Sequence, residues 1–471
     1  MAPDDKIIGN PTAIQENILT TFGFLTPPSQ KTCSITTTLL PRLISLCWML
    51  TTFSIIIFEV GKIFYGNNAD AFDLHQDLLI VELVKYFVYV FYPARGFIVL
   101  LLFILQHRWS SWCQVSGKIQ RLLSDVFPDE ASRARPVRKL KICSLMLTAL
   151  TVSLHVTWVS VEWTKYEGLL LPAQVLNNYS ASVPSNCSYK NYDICFTTGQ
   201  MVLLWVPAVD GLFIVSQQVL ALVVTSAVTL LFISEHLHLS INREIVRFHR
   251  QKLPLKCDRW ELNRDRLNFI TTTLERKLTA SSSSPRQWTE LSRQVKRWTW
   301  MYTETFLVLE HLKDSFGWIL LVSVSLDVMT ALGVGTTLIT SNKASPYFVL
   351  YHVCSAGLFL SYATLLFLPL VFLHEKCQRI ERALTQLHWK IKGYSSPELD
   401  QMEEECSFRH DSRSKAADSI EELTEIVKGS ILVVKAGGLC SFTRSFPVTI
   451  VTTVFTILLL ARELLEHAKG A

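Results

Sequence analysis

Asp210 and Asp327 stand inside long apolar runs of this 471-residue chain, and Glu463 closes a run rich in hydroxyls near the C-terminus. A carboxylate at bilayer depth is costly unless it is paired, wetted or functional. From residue type alone, both a structural ion pair and a ligand contact stay open for the two interior acids. In the terminal run, Thr449, Thr453, Thr456, Leu460, Glu463 and Leu464 recur at three- and four-residue spacing, which puts them on or near one helical face. Hydroxyls followed by a leucine suit a wetted pore with a dewetting constriction. The same spacing also suits a helix-packing face whose threonines bond back to carbonyls. Periodicity does not separate these two readings.

Catalytic chemistry has no comparable candidate. The chain carries no Gly-rich phosphate loop, no Gly-x-Ser-x-Gly and no His-Glu-x-x-His. His236 and His238 are two residues apart, so they do not share a helical face, and no Cys/His spacing suggests metal. The expectation is a protein that is no enzyme and needs no cofactor or metal.

The elements that position these residues are membrane spans. Charged residues are 18% of the chain and hydrophobic residues 49%, whereas a soluble protein carries about a quarter charged residues. The apolar residues come in blocks that meet the length of roughly 20 residues needed to cross a bilayer. Spans are expected at 43–65, 79–106, 142–163, 199–233, 316–340, 347–373 and 442–464. The second begins with Glu82 and Lys85 and carries Pro93 and Arg95; at that depth Arg95 must face protein or snorkel to the boundary. The net charge of +5 sits in the connections and reports orientation rather than nucleic-acid binding.

Both sequons, Asn178-Tyr179-Ser180 and Asn186-Cys187-Ser188, fall in one polar stretch between spans three and four. A sequon is used only on the lumenal or extracellular side. The segment before span three carries Arg108, Lys118, Arg121, Arg133, Arg135, Arg138, Lys139 and Lys141, which the positive-inside rule assigns to the cytoplasm. Counting outward from this anchor gives an all-α membrane protein with seven spans, N-terminus inside and C-terminus outside. Met1–Gln30 lacks an early apolar core, so span one is expected to act as its own insertion signal. Cys187 and Cys195 share the outside loop, where a disulfide is expected.

Two inside stretches have helical periodicity. Leu237, Ile241, Ile245 and Phe248 recur after span four, and Trp298, Met301, Tyr302, Phe306, Leu309 and Leu312 recur before span five. Helices of this kind extend the spans into the cytoplasm with an apolar face that needs a partner. The resulting organisation is a cytoplasmic segment 1–42, spans one to six over 43–373, a cytoplasmic loop 374–415, an inside half of helix seven over 416–436, a spanning half over 437–464 and an outside tail 465–471. Ile420, Leu423, Ile426 and Val427 form the amphipathic part of the inside half, closed by Gly429 and then by Gly437-Gly438.

The terminal segment carries a resemblance. From Lys435 the chain reads Lys-Ala-Gly-Gly-Leu-Cys-Ser-Phe-Thr-Arg-Ser-Phe, and the final helix ends Thr456-Ile457-Leu-Leu-Leu-Ala-Arg-Glu463-Leu464. This resembles the terminal signature of insect gustatory receptors, in which a Gly-aromatic segment and an Arg-Ser pair precede a helix ending Thr-Tyr, five apolar residues and Gln-Phe. Gly438, Arg444, Ser445 and Thr456 match at the family's spacing. Ile457 stands for the Tyr, Arg462 interrupts the apolar run, and Glu463-Leu464 replace Gln-Phe, which marks a divergent member. Leu309-Glu310-His311-Leu312 with Phe316-Gly317 is similar to the family's approach to its fifth span, and Cys377 is a weaker third match.

The resemblance implies a chemosensory, ligand-gated, non-selective cation channel in the plasma membrane of sensory neurons. It implies four subunits, identical or mixed with related ones, embedded in membrane lipid and passing monovalent and divalent cations. Cytoplasmic extensions of spans four to six would pack with the inside half of helix seven as an anchor. The pore would be lined by Thr453, Thr456, Ile457, Leu460, Glu463 and Leu464. A small-molecule tastant would bind in the outer half of each subunit, where Trp158, Trp205, Asp210, Asp327, Tyr351, His352 and Tyr362 lie. Rings with acids suit sugars and polyols and equally suit amines. The rival is a seven-helix receptor signalling through an intracellular partner. Its usual Asp-Arg-Tyr and Asn-Pro-x-x-Tyr motifs are absent, and the sequons are on the wrong side for it.

Overall fold

A computed structural model describes residues 10–22, 24, 35–65, 87–105, 108–165, 208–252, 285–340, 346–392, 403–438 and 440–470. Helices α1 (Ala13–Thr21), α2 (Ile35–Tyr65), α3 (Phe87–Leu105), α4 (Arg108–Val126) and α5 (Glu130–Lys165) precede α6 (Gly211–Lys252), α7 (Pro285–Thr340) and α8 (Pro346–Lys392). Then come α9 (Glu403–Gly429), a hairpin of β1 (Lys435–Ala436) and β2 (Cys440–Ser441), and α10 (Ser445–Gly470). Pro285 and Pro346 each open a helix, where a missing N–H breaks no bond and the fixed φ is already helical. The sequons Asn178 and Asn186, the pair Cys187 and Cys195, and Trp205 lie outside the described residues.

Among the described residues, five helices contain stretches long and apolar enough to cross a membrane: Arg133–Ser160, Ala208–Phe248, Gln287–Ile339, Val349–Lys392 and Ser445–Leu464. Shorter apolar stretches, Arg42–Phe58 and Val90–Leu105, lie in α2 and α3. Span six does not give way to a loop at 374. Its helix runs on to Lys392, and α9 begins at Glu403, well before the 416 expected from its apolar stripe. The reason is packing: Cys377, Ile380, Leu384, Leu387 and Ile391 of α8 are all buried against the neighbouring helices.

The extended ends of α6, α7 and α8 join α9 in one core. Leu237, Ile241, Ile245 and Phe248 are buried, as are Trp288, Leu291, Trp298, Met301, Tyr302 and, from α9, Ile420, Leu423 and Val427. In water, burial of this kind contributes about 1.5–3 kcal/mol for each large side chain; between helices inside lipid that drive is absent. Polar contacts fix the register. Ser240 Oγ of α6 accepts from Trp298 Nε1 at 3.1 Å and from Gln294 Nε2 at 3.3 Å. The Tyr302 hydroxyl donates to the Ser430 carbonyl at 2.6 Å and lies 3.0 Å from Cys377 Sγ, so one phenol joins α7, α8 and the end of α9. Arg413 of α9 caps the last carbonyls of α8, reaching those of Ile391 at 2.5 Å and Lys392 at 3.0 Å.

The hairpin turns on Gly437 (φ 55°) and Gly438 (φ 75°), a backbone that side chains with a Cβ rarely adopt. It also lies hard against α7. A Cβ on Gly437 would stand 2.8 Å from Leu321 Cδ2, and one on Gly317 would stand 3.3 Å from the Gly437 nitrogen. The Gly-Gly pair and the Phe316-Gly317 step, far apart in sequence, are therefore two sides of one contact. Gly437→Ala is expected to destabilise the purified protein by about 1–2 kcal/mol from the left-handed backbone alone, with the clash adding to that. Gly357→Ala, in mid-helix with nothing within 4 Å, should be neutral or stabilising by up to about 1 kcal/mol. Equal thermal shifts for the two variants would refute the contact.

Candidate functional site

The interior acids belong to two adjoining polar nodes. In the first, Arg95 of α3 places Nε 2.5 Å from Asp327 Oδ1 of α7, with the two side chains 1% and 0% exposed. The guanidinium is also 4.5 Å from the Phe213 ring centroid, and its NH1 donates to Ser216 Oγ at 3.3 Å. In the amide orientation that satisfies both partners, the Gln217 oxygen accepts from both terminal nitrogens, at 2.9 and 3.0 Å. Arg95 is thus wrapped by α6 on one side and neutralised by α7 on the other. Among the described residues, Asp327 receives no neutral hydrogen-bond donor, so its charge rests on Arg95 alone.

In the second node, Asp210 lies in a π-helical turn at 208–210 that leads into α6, an irregularity frequent at functional positions. The Tyr92 hydroxyl donates to Asp210 Oδ1, and His155 Nε2 lies 3.5 Å from the same oxygen and 3.4 Å from the Tyr92 hydroxyl. Tyr92 is at once the centre of an aromatic cluster. Its ring is 4.9 Å from those of Trp158 and Phe213 and 5.7 Å from that of Phe359. Trp158 Nε1 donates to Ser355 Oγ at 2.9 Å, and the Tyr362 hydroxyl donates to the Thr151 carbonyl at 3.2 Å, each linking α5 to α8.

Of the sequence-expected ligand residues, Trp158, Asp210 and Tyr362 therefore meet around Tyr92 and Phe213, and Asp327 joins them through Arg95. Tyr351 and His352 are buried at the head of α8 with their rings edge to face at 4.9 Å, outside the aromatic cluster. Among the described residues the cluster is filled by its own side chains. A cavity of about 20 Å³ lined by Thr151, Gln217 and Tyr362 adjoins it, room for about one water. Sequence reasoning missed Tyr92, His155 and Phe213. The available signal was Arg95, a cation at span depth with two acids to choose between.

The final helix stands apart. α10 packs mainly on α7: Val454 and Ala461 are buried, and a Cβ on Gly335 would meet Leu458 Cδ2 at 3.0 Å. The rest of its surface is exposed and divides into two stripes. One carries Thr449, Thr452, Thr453, Thr456, Leu460 and Glu463; the other carries Val448, Val451, Phe455 and Leu459. Ile457 and Leu464 are half-buried. Thr449 and Thr456 donate to carbonyls one turn back, at 3.0 and 2.8 Å, which leaves their oxygen lone pairs outward. Arg462 Nε pairs with Glu466 Oε1 at 2.8 Å on the same helix, so within the subunit it does not draw on Glu463.

Asp327→Asn leaves Arg95 buried without a counter-charge and is expected to lower stability by about 3–5 kcal/mol, read as lost monodisperse protein in detergent and a lower melting temperature. The double variant Arg95→Met with Asp327→Leu should recover most of that loss. A single variant as stable as the parent would show that the pair is dispensable.

No family model matches the chain, and no curated protein matches it. Solved structures do. The insect olfactory receptor OR5 from Machilis hrabei in complex with eugenol superposes with a TM-score of 0.55 at 12% identity, covering 96% of this chain and 97% of that one. A second structure of the insect olfactory receptor OR5 from Machilis hrabei superposes with a TM-score of 0.52 at 10% identity, covering 95% of this chain and 96% of that one. The coverage of both chains is nearly complete: the chain has the fold of an insect olfactory receptor.

Proposed function

We propose that the chain is a chemosensory receptor, of gustatory type by its terminal signature, that is itself a ligand-gated, non-selective cation channel. Four copies, identical or mixed with related subunits, surround a pore lined by α10. The observation that carries this reading is the two-striped exposed surface of α10. A helix supported on one side by α7 and bare on the rest must meet lipid, a neighbour or water. The Val448–Val451–Phe455–Leu459 stripe suits an apolar neighbour or lipid, and the threonine stripe suits a wetted axis. Thr453 and Thr456 then line the conduit, Ile457 and Leu464 flank it, Leu460 forms the dewetting constriction and Glu463 forms an acidic ring at its outer mouth.

The ligand is a small molecule, in keeping with the eugenol complex of the neighbouring fold. Trp158, Asp210, Asp327 and Tyr362 form the floor of its pocket, with Trp205, Tyr351 and His352 toward the outside. The membrane orientation in this reading has the N-terminus inside. Asn178 and Asn186 therefore face outside, with Cys187 and Cys195 bridged beside them. Glycosidase treatment should increase gel mobility, and Asn178→Gln with Asn186→Gln should abolish that shift; cleavage of the 107–141 connection by protease applied to intact cells would reverse the orientation.

The deciding experiment is whole-cell recording from cells expressing this chain alone while tastants are applied. A cation current evoked directly, without soluble second messengers, is the expected result. A response that requires an intracellular partner would favour the coupled-receptor reading. In the same recordings Glu463→Gln should lower divalent permeability and block by external protons while leaving the ligand dose–response unchanged. An unaltered permeability sequence would remove Glu463 from the pore mouth.

A further inference from the structure

A cavity of about 490 Å³ opens between α5, α6 and α8, far from the aromatic cluster. Its size is that of a small-molecule site, but its walls are segregated. Leu231, Phe232 and Phe372 line one side, while Lys139, Lys376 and Arg379 bring positive charge to the other. Helical spacing builds the segregation. Leu231, Phe232 and Glu235 share a face of α6, Phe372, Lys376 and Arg379 share a face of α8, and Lys139 and Cys143 are one turn apart on α5. The apolar part lies where the spans expected at 142–163, 199–233 and 347–373 reach the bilayer boundary, and the charged part lies just beyond it. An apolar slot meeting a cationic rim at that level has the chemistry of a phospholipid site.

The carboxylates of the cavity are already engaged. Glu235 pairs with Lys376, whose side chain is 10% exposed. Glu375 is shared by two cations, Arg379 NH2 at 3.7 Å and Arg444 Nε at 3.9 Å. Lys139 has no carboxylate partner among the described residues and is exposed. Three cations thus line the cavity with two carboxylates, one of which Arg444 also approaches from outside the lining, and the surplus is positive.

We propose that this cavity binds one anionic phospholipid. Its phosphate would rest on Lys139 and Arg379, with Lys376 behind them, and an acyl chain would lie along Leu231, Phe232 and Phe372. The site is on the leaflet where the spans give way to their extensions, the cytoplasmic one in the orientation proposed above. Arg444 directly precedes α10. A phosphate that draws Arg379 away leaves Glu375 to Arg444, so occupancy tightens the foot of the pore helix. That consequence rests on the channel reading; the binding itself does not.

The test is native mass spectrometry of the full chain in detergent with added phosphatidylinositol 4,5-bisphosphate, with phosphatidylcholine as the comparison. The anionic lipid should be retained and phosphatidylcholine stripped. Lys139→Ala with Arg379→Ala, at two exposed side chains, should weaken retention by about fivefold per charge removed, and Lys139→Arg with Arg379→Lys should restore it. If the double alanine variant does not purify, Lys139→Gln alone should still lower retention several-fold. Equal retention of phosphatidylcholine, undiminished binding by the charge-neutral variants, or displacement by an equal concentration of soluble inositol trisphosphate would each overturn the assignment. Because no current is read, a failed recording experiment would leave this site standing, and a failed binding experiment would leave the channel standing.

Discussion

The structure depends on one buried charge pair. Arg95 and Asp327, 1% and 0% exposed, are tolerable in an apolar bundle only together. Their contact fixes α3 against α7, and Ser216, Gln217 and Phe213 close α6 around the same guanidinium. Three helices are thereby registered by a single electrostatic requirement. Dispersion contacts among leucines and valines would tolerate a slide of one turn; an unpaired guanidinium would not.

Register at Asp327 then propagates along α7, because a helix of this length is one element. Gly317, where the Gly437 hairpin touches, is about 15 Å from Asp327 at the usual helical rise. Gly335, where Leu458 of α10 packs, is about 12 Å the other way. The extension bearing Trp298 and Tyr302 is on the same rod, bonded to Ser240 and Ser430. In the proposed reading, a ligand that alters the Tyr92–Asp210–His155 node beside the charge pair acts on the helix that supports the pore helix. No separate relay is needed, since both sites bias one rigid element.

Much of this was legible in the sequence, for definite physical reasons. The extensions could be read because Leu237, Ile241, Ile245 and Phe248 recur with helical period, and all four are buried. The interior acids could be singled out because a carboxylate in an apolar run demands explanation. Their partners could not, because pairing is decided by which helices become neighbours: Asp327 finds Arg95 and Asp210 finds Tyr92 and His155, all far away in sequence. An extension of span six was implied only by the resemblance, and its length to Lys392 was not legible. The buried residues from Cys377 to Ile391 are interleaved with Lys376, Arg379 and Arg382, and that charge reads as a loop. On α10, periodicity grouped Leu464 with the threonines and the resemblance added Ile457, but both are half-buried, whereas Thr452, which neither singled out, is exposed beside Thr449 and Thr456.

The central claim is that the threonine stripe of α10 faces a water-filled axis, and cysteine accessibility tests it most directly. Thr453→Cys and Thr456→Cys, with Phe455→Cys between them, would be recorded during agonist application before and after a charged thiol reagent, against the unsubstituted chain. The account predicts irreversible block at both threonine positions and none at Phe455, although Phe455 is 62% exposed in the single subunit. Block at Phe455 with the threonine positions silent would mean that the apolar stripe faces the axis, and would contradict it.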